Sequence, residues 1–405
     1  MSQPASSANP HPTPSHIHTR TSSTEFESHT QRQRNQEMLS QIRSSAPSLL
    51  HKLQTGLSKL PVELIWAAHS HWPLRYPNST SSPTASPSSG QYSQRPIRIS
   101  ILDSSFNPPT LAHLALANSP RPRYTSEQGD SDCGEPPDYD AKLLLLSVKN
   151  ADKSLKPGDA TYLQRLEMMG LLAQDVHTHP ASHHGHNVAI AIIDEPTFVG
   201  KSRVLQEYLR VRLASLSPTP SPADSDSEVQ GHPTQLSFIV GLDTLERLFS
   251  PRYYTPAPGE DESVTAEQNM ISALSRMLSP YPSGDDSLIV CARRAVTLSS
   301  DVAPKSACLE IGERMGWMKS GTRQDSEESG EGLHGSFGSA TIPKDERIVM
   351  IDIGDRASRF SSTAVRNARF RAGDSGSHAE GPWKEWVTKS VAEYIEEGGL
   401  YVKQS

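Results

Sequence analysis

The sequence predicts an α/β fold in which helices cover both faces of a doubly wound, mainly parallel sheet. Six apolar runs indicate the strands, because each is continuous instead of alternating and ends in a polar or charged residue, as strands buried on both faces require. Helical patterns between and after the runs indicate the crossovers of such a sheet. The runs cover residues 97–103, 141–150, 187–195, 235–243, 286–294 and 347–355, and helices are expected over residues 160–175, 201–216, 244–249, 266–278 and 383–397.

The composition indicates one ordered domain accompanied by low-complexity segments. Of the 405 residues, 35% are hydrophobic and 32 are proline, and the net charge of −7 argues against a protein that coats nucleic acid or anionic membrane. Three cysteines without C-x-x-C or zinc-finger spacing suit a reducing compartment. The polar start is not a signal peptide, and no apolar run reaches the ~18 residues of a membrane span. We therefore expect a cytosolic or nuclear protein with no nucleic-acid or membrane partner; its protein partners stay undefined.

Composition also divides the chain into four segments. Residues 1–33 are polar and interrupted by proline, which predicts a disordered tail. Residues 34–75 have apolar positions at helical spacing and predict an extension of two or three short helices. Residues 76–95 are a Ser/Pro-rich linker, and residues 96–405 are the main domain. Within that domain, low-complexity insertions in surface loops are expected near residues 120–138, 217–234, 255–264 and 319–345.

The first predicted strand, residues 97–103, runs through a polar loop into an Ala/Leu-rich helix that Thr110 opens. A helix N-terminus behind a strand binds anions well, because its N–H groups are unpaired and its dipole is positive there. Thr110 and His113 are three residues apart on one helix face, so both could reach a phosphate. The alternative is that Thr110 is only an N-cap and His113 a hydrogen-bonded core histidine.

Two segments carry a family resemblance. S-F-N-P-P-T-x-x-H, after the first strand, resembles the first signature of the nucleotidylyltransferase superfamily, in the form typical of nicotinamide-mononucleotide adenylyltransferases of a fungal branch. The chain departs from it at Ser104, where the family has a glycine that permits the closest backbone approach to phosphate. F-S-S-T-x-x-R, much later in the chain and at the start of another predicted helix, resembles the second signature. The signatures contribute Ser105, Phe106, Asn107, Thr110 and His113, and Ser361, Ser362, Thr363 and Arg366.

The resemblance implies a Rossmann-like nucleotidylyltransferase fold for residues 96–405 and an adenylyl transfer from ATP to nicotinamide mononucleotide, which forms NAD and pyrophosphate. Such a transfer needs no covalent nucleophile, because positioning and charge stabilisation supply most of the catalysis. By this resemblance His113 binds the α-phosphate, and Thr110 with its helix start holds the triphosphate. Arg366 and the preceding hydroxyls hold the leaving pyrophosphate, and Mg²⁺ bridges phosphate oxygens.

Two further strand ends carry candidate binding residues. The run at 141–150 leads into Lys149, Asn150 and Lys153, followed by Arg165 in a predicted helix. The resemblance implies that this stretch holds the mononucleotide phosphate. The alternative is that the lysines are ordinary solvated surface residues. The run at 235–243 ends in Gly241 and Asp243, where an acidic residue can take ribose hydroxyls. Asp243 could instead cap the next helix, whereas the resemblance implies contact with the ATP ribose or adenine.

Two other patterns resemble binding sites of a different kind. E-P-T-F-V-G-K-S, residues 195–202, looks like a P-loop but has Glu195 where that motif requires glycine. The histidine-rich stretch 177–186 lacks cysteines or carboxylates at ligand spacing, so we expect an exposed loop. No residue in the sequence identifies nicotinamide as the acceptor base. Phe198 could stack on the nicotinamide ring, but it could equally belong to the core. Transfer to another phosphorylated acceptor, or an ATP-binding regulatory role without transfer, therefore stays open.

Overall fold

A computed structural model describes residues 21–74, 96–124, 138–149, 156–178, 187–216, 233–255, 264–293, 307–319, 341–342, 346–374 and 381–403. It confirms the predicted α/β class. The main sheet has seven strands: β1 (Val62–Ala67), β2 (Ile97–Asp103), β4 (Ala141–Ser147), β5 (Val188–Ile193), β6 (Thr234–Gly241), β7 (Leu288–Ala292) and β9 (Ile348–Ile351). Two short strands, β3 (Arg123–Tyr124) and β8 (Thr341–Ile342), pair in parallel as a separate sheet.

The helices are α1 (Thr21–Gln54), α2 (Leu111–Ala117), α3 (Tyr162–Thr178), α4 (Phe198–Leu216), α5 (Leu242–Leu248), α6 (Ala266–Leu278), α7 (Ala307–Arg314), α8 (Asp355–Ser358), α9 (Ser362–Asp374) and α10 (Lys389–Glu397). The helix expected over residues 383–397 is split into a 3₁₀ turn, Pro382–Trp386, and α10. Val387 is extended between them, and this residue interrupts the helix. Among the described residues, no helix is both long and apolar enough to cross a membrane.

All six predicted apolar runs form strands, and these strands pair in parallel in the order β5-β4-β2-β6-β7-β9. The central strand is β2, in which Ile101 lies opposite Leu143 of β4 and Phe238 of β6. Residues of β5 are buried along its whole length. Two apolar cores, one on each face of the sheet, explain why the runs are continuous instead of alternating.

The N-terminal extension differs from the prediction. Val62–Ala67 is a strand, not a helix, and it pairs antiparallel with the outer edge of β5. Its valine, isoleucine and tryptophan suit a half-buried edge position. One helix, α1, takes the place of the two or three short helices and already begins at Thr21, inside the segment for which disorder is predicted. A helix is possible there because no proline occurs between Pro14 and Pro47.

Parts of the predicted organisation lie outside the described residues. These are the first 20 residues of the tail, the linker, residues 179–186 of the histidine-rich stretch and most of each predicted insertion. The division into tail, extension, linker and main domain therefore stays a prediction, apart from the differences described above.

Candidate functional site

A cavity of about 750 Å³ opens at the carboxyl ends of the central strands. In this sheet β4 and β6 lie on opposite sides of β2, so the chain leaves β2 at the switch point where doubly wound folds bind ligands. Residues after β2, β4 and β6 and at the start of α9 line the cavity. They include Ser104, Ser105, Lys149, Asp243, Ser362, Thr363 and Arg366.

The two signature segments contact each other directly. The Ser362 hydroxyl donates to the Pro108 carbonyl oxygen at 2.7 Å, and the Arg366 guanidinium donates to the Asn107 carbonyl oxygen. The start of α9 thus lies against the loop between β2 and α2, although the two segments are far apart in sequence. The structure therefore brings both signatures to one crevice.

The ring of His113 has a defined hydrogen-bonding arrangement. Its Nδ1 accepts from the Thr110 backbone N–H at 3.0 Å, so Nε2 carries the ring proton and donates to the Ser104 hydroxyl at 2.9 Å. Burial lowers the pKa of His113 to about 4, which keeps the imidazole neutral near neutral pH. Ser104 lines the cavity and His113 does not. The histidine therefore stands behind the serine that replaces the family glycine.

Thr110 and the buried residues of the first signature have structural contacts. Thr110 is fully buried, and its hydroxyl lies 2.9 Å from His113 Nδ1. Phe106 is also fully buried, with a left-handed φ of 45° and its ring 5.3 Å from that of His113. Asn107 donates to Asp159 at 2.7 Å and accepts from the Tyr401 hydroxyl at 2.8 Å. The side chains of these three residues hold the loop between β2 and α2 in shape, and Asn107 also lines the cavity. The binding roles that the resemblance implies for them stay predictions.

A carboxylate that the sequence analysis missed lies between two arginines. Asp159 is 3.6 Å from Arg165 and 3.8 Å from Arg366. Desolvation raises its pKa, but hydrogen bonds from the Lys156 backbone and from Asn107, together with the two arginines, hold the pKa below the ordinary value. The aspartate therefore stays charged and anchors both arginines at the cavity wall. The turn-forming sequence Lys-Pro-Gly-Asp at 156–159 is the only local sign of its position.

The other predicted binding residues are placed as follows. Lys149 is exposed and lines the cavity beside β4, whereas Asn150 and Lys153 lie outside the described residues.

Asp243 lines the cavity from the first turn of α5. The N-cap of this helix is Gly241, so the alternative that Asp243 is the cap is wrong. A side chain at Gly241 would meet no atom within 4 Å, which shows open space there. Ser361 accepts from the Ala364 N–H at 3.1 Å and starts the helix without lining the cavity.

Residues of the P-loop-like stretch 195–202 have a different role. Glu195 accepts hydrogen bonds from the backbone and hydroxyl of Thr197, at 2.9 and 2.7 Å, and the Thr197 hydroxyl caps α4 by accepting from the Gly200 N–H at 3.1 Å. Lys201 forms a buried ion pair with Asp103 at 2.5 Å, and both side chains line the cavity. The sequence analysis missed this pair; the acidic residue that ends β2 was the available signal.

Comparison with known proteins identifies one relative by sequence. No protein-family model matches the chain. A Schizosaccharomyces pombe protein, provisionally named nicotinamide mononucleotide adenylyltransferase, is 30% identical over 164 residues. This chain is similar to that adenylyltransferase. The match covers 40% of the chain and 46% of the relative, so the chain spans about half the length of the curated relative it matches. The relative confirms the resemblance that the two signatures predict.

Two solved structures of the Plasmodium falciparum nicotinic acid mononucleotide adenylyltransferase, complexed with NaAD and with APC, are more distant. They match with TM-scores of 0.34 and 0.33 and with 13% and 11% identity. Each match covers 75% of this chain, and 97% and 96% of the respective structures. Scores this low do not by themselves define a common fold.

The electrostatics of the adenylyltransferase-like crevice favour anions. Among the residues that line it, six are basic and three are acidic. In the part of the chain that the structure describes, no group of three or more His, Cys, Asp or Glu side chains could hold a metal ion. The excess of basic residues in the lining of the crevice suits an anionic ligand such as a polyphosphate.

Proposed function

We propose that this chain transfers AMP from ATP to nicotinamide mononucleotide, which forms NAD and releases pyrophosphate. The observation that carries the proposal is the contact between the two signatures, in which the Ser362 hydroxyl is hydrogen-bonded to the Pro108 carbonyl oxygen beside the crevice of about 750 Å³. The name of the fission yeast relative supports the same activity.

ATP is proposed to lie on the β6 side of β2. There Asp243 can accept hydrogen bonds from ribose hydroxyls. Thr363 and Arg366, at the start of α9, offer a hydroxyl, helix N–H groups and a fixed positive charge to the triphosphate. Mg²⁺ would enter as the MgATP complex and neutralise phosphate charge when bound.

The acceptor is proposed to lie on the β4 side. Lys149 and Arg165 line that part of the crevice and can bind a phosphate monoester. Arg165 is the more rigid of the two, because it is buried and bonded to the Ala160 carbonyl oxygen at 2.9 Å. The assignment of Asn150 and Lys153 to the same phosphate rests on the sequence motif alone.

The proposed reaction is an in-line displacement at the α-phosphorus. An oxygen of the acceptor phosphate forms a bond to that phosphorus while the bond to the β-phosphate bridging oxygen breaks, and pyrophosphate leaves. His113 is a neutral donor through Nε2–H, and it can stabilise the α-phosphate once that phosphate takes the place of the Ser104 hydroxyl. Arg366 stabilises the charge that develops on pyrophosphate.

An acceptor panel tests this proposal. Purified protein is incubated with ATP, Mg²⁺ and one of nicotinamide mononucleotide, nicotinate mononucleotide, phosphopantetheine or phosphocholine, and pyrophosphate release is measured. We expect release that depends on a pyridine mononucleotide. Release with phosphopantetheine or phosphocholine alone would move the activity to another acceptor, and ATP binding without any acceptor effect would favour a regulatory protein. The cytosol or nucleus is our proposal for its compartment, based on cysteine usage.

A further inference from the structure

The buried Asp103–Lys201 pair lies in the crevice but has no part in the proposed phosphate chemistry. Asp103 ends β2, and Lys201 extends from the first turn of α4 to bring Nζ within 2.5 Å of Oδ2. The side chains are only 8% and 5% exposed. The Ser147 hydroxyl donates to the other carboxylate oxygen at 3.2 Å and lines the crevice as well.

An aromatic ring accompanies the pair. Lys201 Nζ lies 4.8 Å from the centroid of the Phe198 ring, whose edge-to-face neighbour is Phe238 at 5.7 Å. The arginines assigned to phosphate contact Asp159 instead. The crevice therefore has an anion-binding group of residues and a separate group that joins an aromatic ring to a neutral ion pair. A phosphorylated ligand with a flat polar ring matches this division.

We propose that the Asp103–Lys201 pair binds the polar substituent of the acceptor's pyridine ring and selects a neutral carboxamide over an anionic carboxylate. This inference rests on the proposed function. A carboxamide oxygen can accept from the Lys201 ammonium while the amide N–H donates to Asp103. A carboxylate can use only the lysine, and its charge would be repelled by Asp103 where little water screens it.

Selectivity should then follow the charge of the pair. Initial rates with MgATP are measured for nicotinamide and nicotinate mononucleotides, and the selectivity ratio is kcat/KM for nicotinate divided by that for nicotinamide. We expect a ratio below about 0.1 in the unmodified protein. Asp103→Asn, which leaves a positive charge, should raise the ratio at least about tenfold, and Lys201→Met should lower it, because a unit charge close to the substituent attracts or repels an anionic carboxylate directly. Both rates come from one preparation, so partial unfolding cancels in the ratio.

Two further variants complete the design. The double variant Asp103→Asn/Lys201→Met removes both charges, which a buried site tolerates better than the loss of one charge. The selectivity ratio of this double variant should lie between those of the unmodified protein and Asp103→Asn. Asp286→Asn is the matched control, because Asp286 forms a half-buried ion pair with Arg347 at 2.8 Å just before β7 and β9, at the opposite end of the sheet. That variant should keep the unmodified ratio.

The outcomes separate the inference from the proposed function. A ratio that is unchanged in both Asp103→Asn and the double variant, or an unmodified protein that prefers nicotinate, overturns the inference while the transferase activity stands. If Asp103→Asn fails to fold, the double variant decides by the same criterion. If the unmodified protein adenylylates neither mononucleotide, the proposed function fails and the inference fails with it.

Discussion

At the scale of single residues, His113 is the group on which the proposed chemistry depends most. A donor that acts mainly in the transition state typically contributes about 10²–10³ in rate, or ~3–4 kcal/mol. His113→Ala should therefore lower kcat by about that factor and change ATP affinity little. NAD formation and calorimetric ATP binding measure the two effects. A thermal melt is the control, since an unfolded variant would mean that the histidine is a core residue only.

The low pKa of His113 also predicts how stability depends on pH. The folded-state pKa of about 4 lies below the ordinary value of 6.5, so between these pH values the unfolded chain binds more protons. The contribution of His113 to stability is complete above pH 6.5 and is lost as the pH falls toward 4. Melting temperatures of the unmodified protein and of His113→Gln should thus converge over this range. A constant difference between them would contradict the buried neutral state.

Ser104 gives a second prediction at this scale. Its hydroxyl accepts from His113 Nε2–H at 2.9 Å and covers the histidine from the cavity. Ser104→Gly should expose the donor to the α-phosphate and raise kcat several-fold, with no such gain in a His113→Ala background. A lower kcat in Ser104→Gly would show instead that the serine relays the hydrogen bond.

The site residues predicted from sequence are those that local motifs define, such as His113, Ser362 and Arg366. Asp159 and Lys201 were not predicted, because their partners Arg366 and Asp103 are distant in sequence. The burial of Thr110 could not be predicted from the motif either, and it places the Thr110 hydroxyl against His113, where it helps to position the ring.

At the scale of elements, the N-terminal helix α1 is fitted closely against α3. A side chain added at Gly170 of α3 would come within 2.7 Å of Ile42 and 2.9 Å of Met38. Gly170→Leu should therefore destabilise the protein by about 1–3 kcal/mol, as overpacking of a core does. Combining it with Ile42→Ala should recover part of that loss. Urea denaturation measures both, and additive effects in the double variant would show that the helices do not meet at this glycine.

Strand prediction succeeded where burial on both faces leaves a continuous apolar run, as in β5. It failed at β1, whose six residues are buried only at Val62 and Ile65. Such a pattern is compatible with a helix. What makes this segment a strand is the free edge of β5, which is a tertiary feature that no local sequence pattern contains.

At the scale of the whole molecule, net charge and local charge differ in sign. The chain carries −7, yet basic residues outnumber acidic ones in the lining of the crevice. The overall charge argues against general polyanion binding, and it gives no information about this site. The sheet order explains the site itself, because β2 is central and a substrate can be placed on each side of it.

The central claim is that both signatures form one site for adenylyl transfer, and the fate of labelled ATP tests it most directly. With nicotinamide mononucleotide and MgATP, label from the α-phosphate should appear in NAD and label from the γ-phosphate in pyrophosphate, at equal rates and only when the acceptor is present. Release of the γ-label as inorganic phosphate, or cleavage of ATP that does not depend on the acceptor, would contradict the claim.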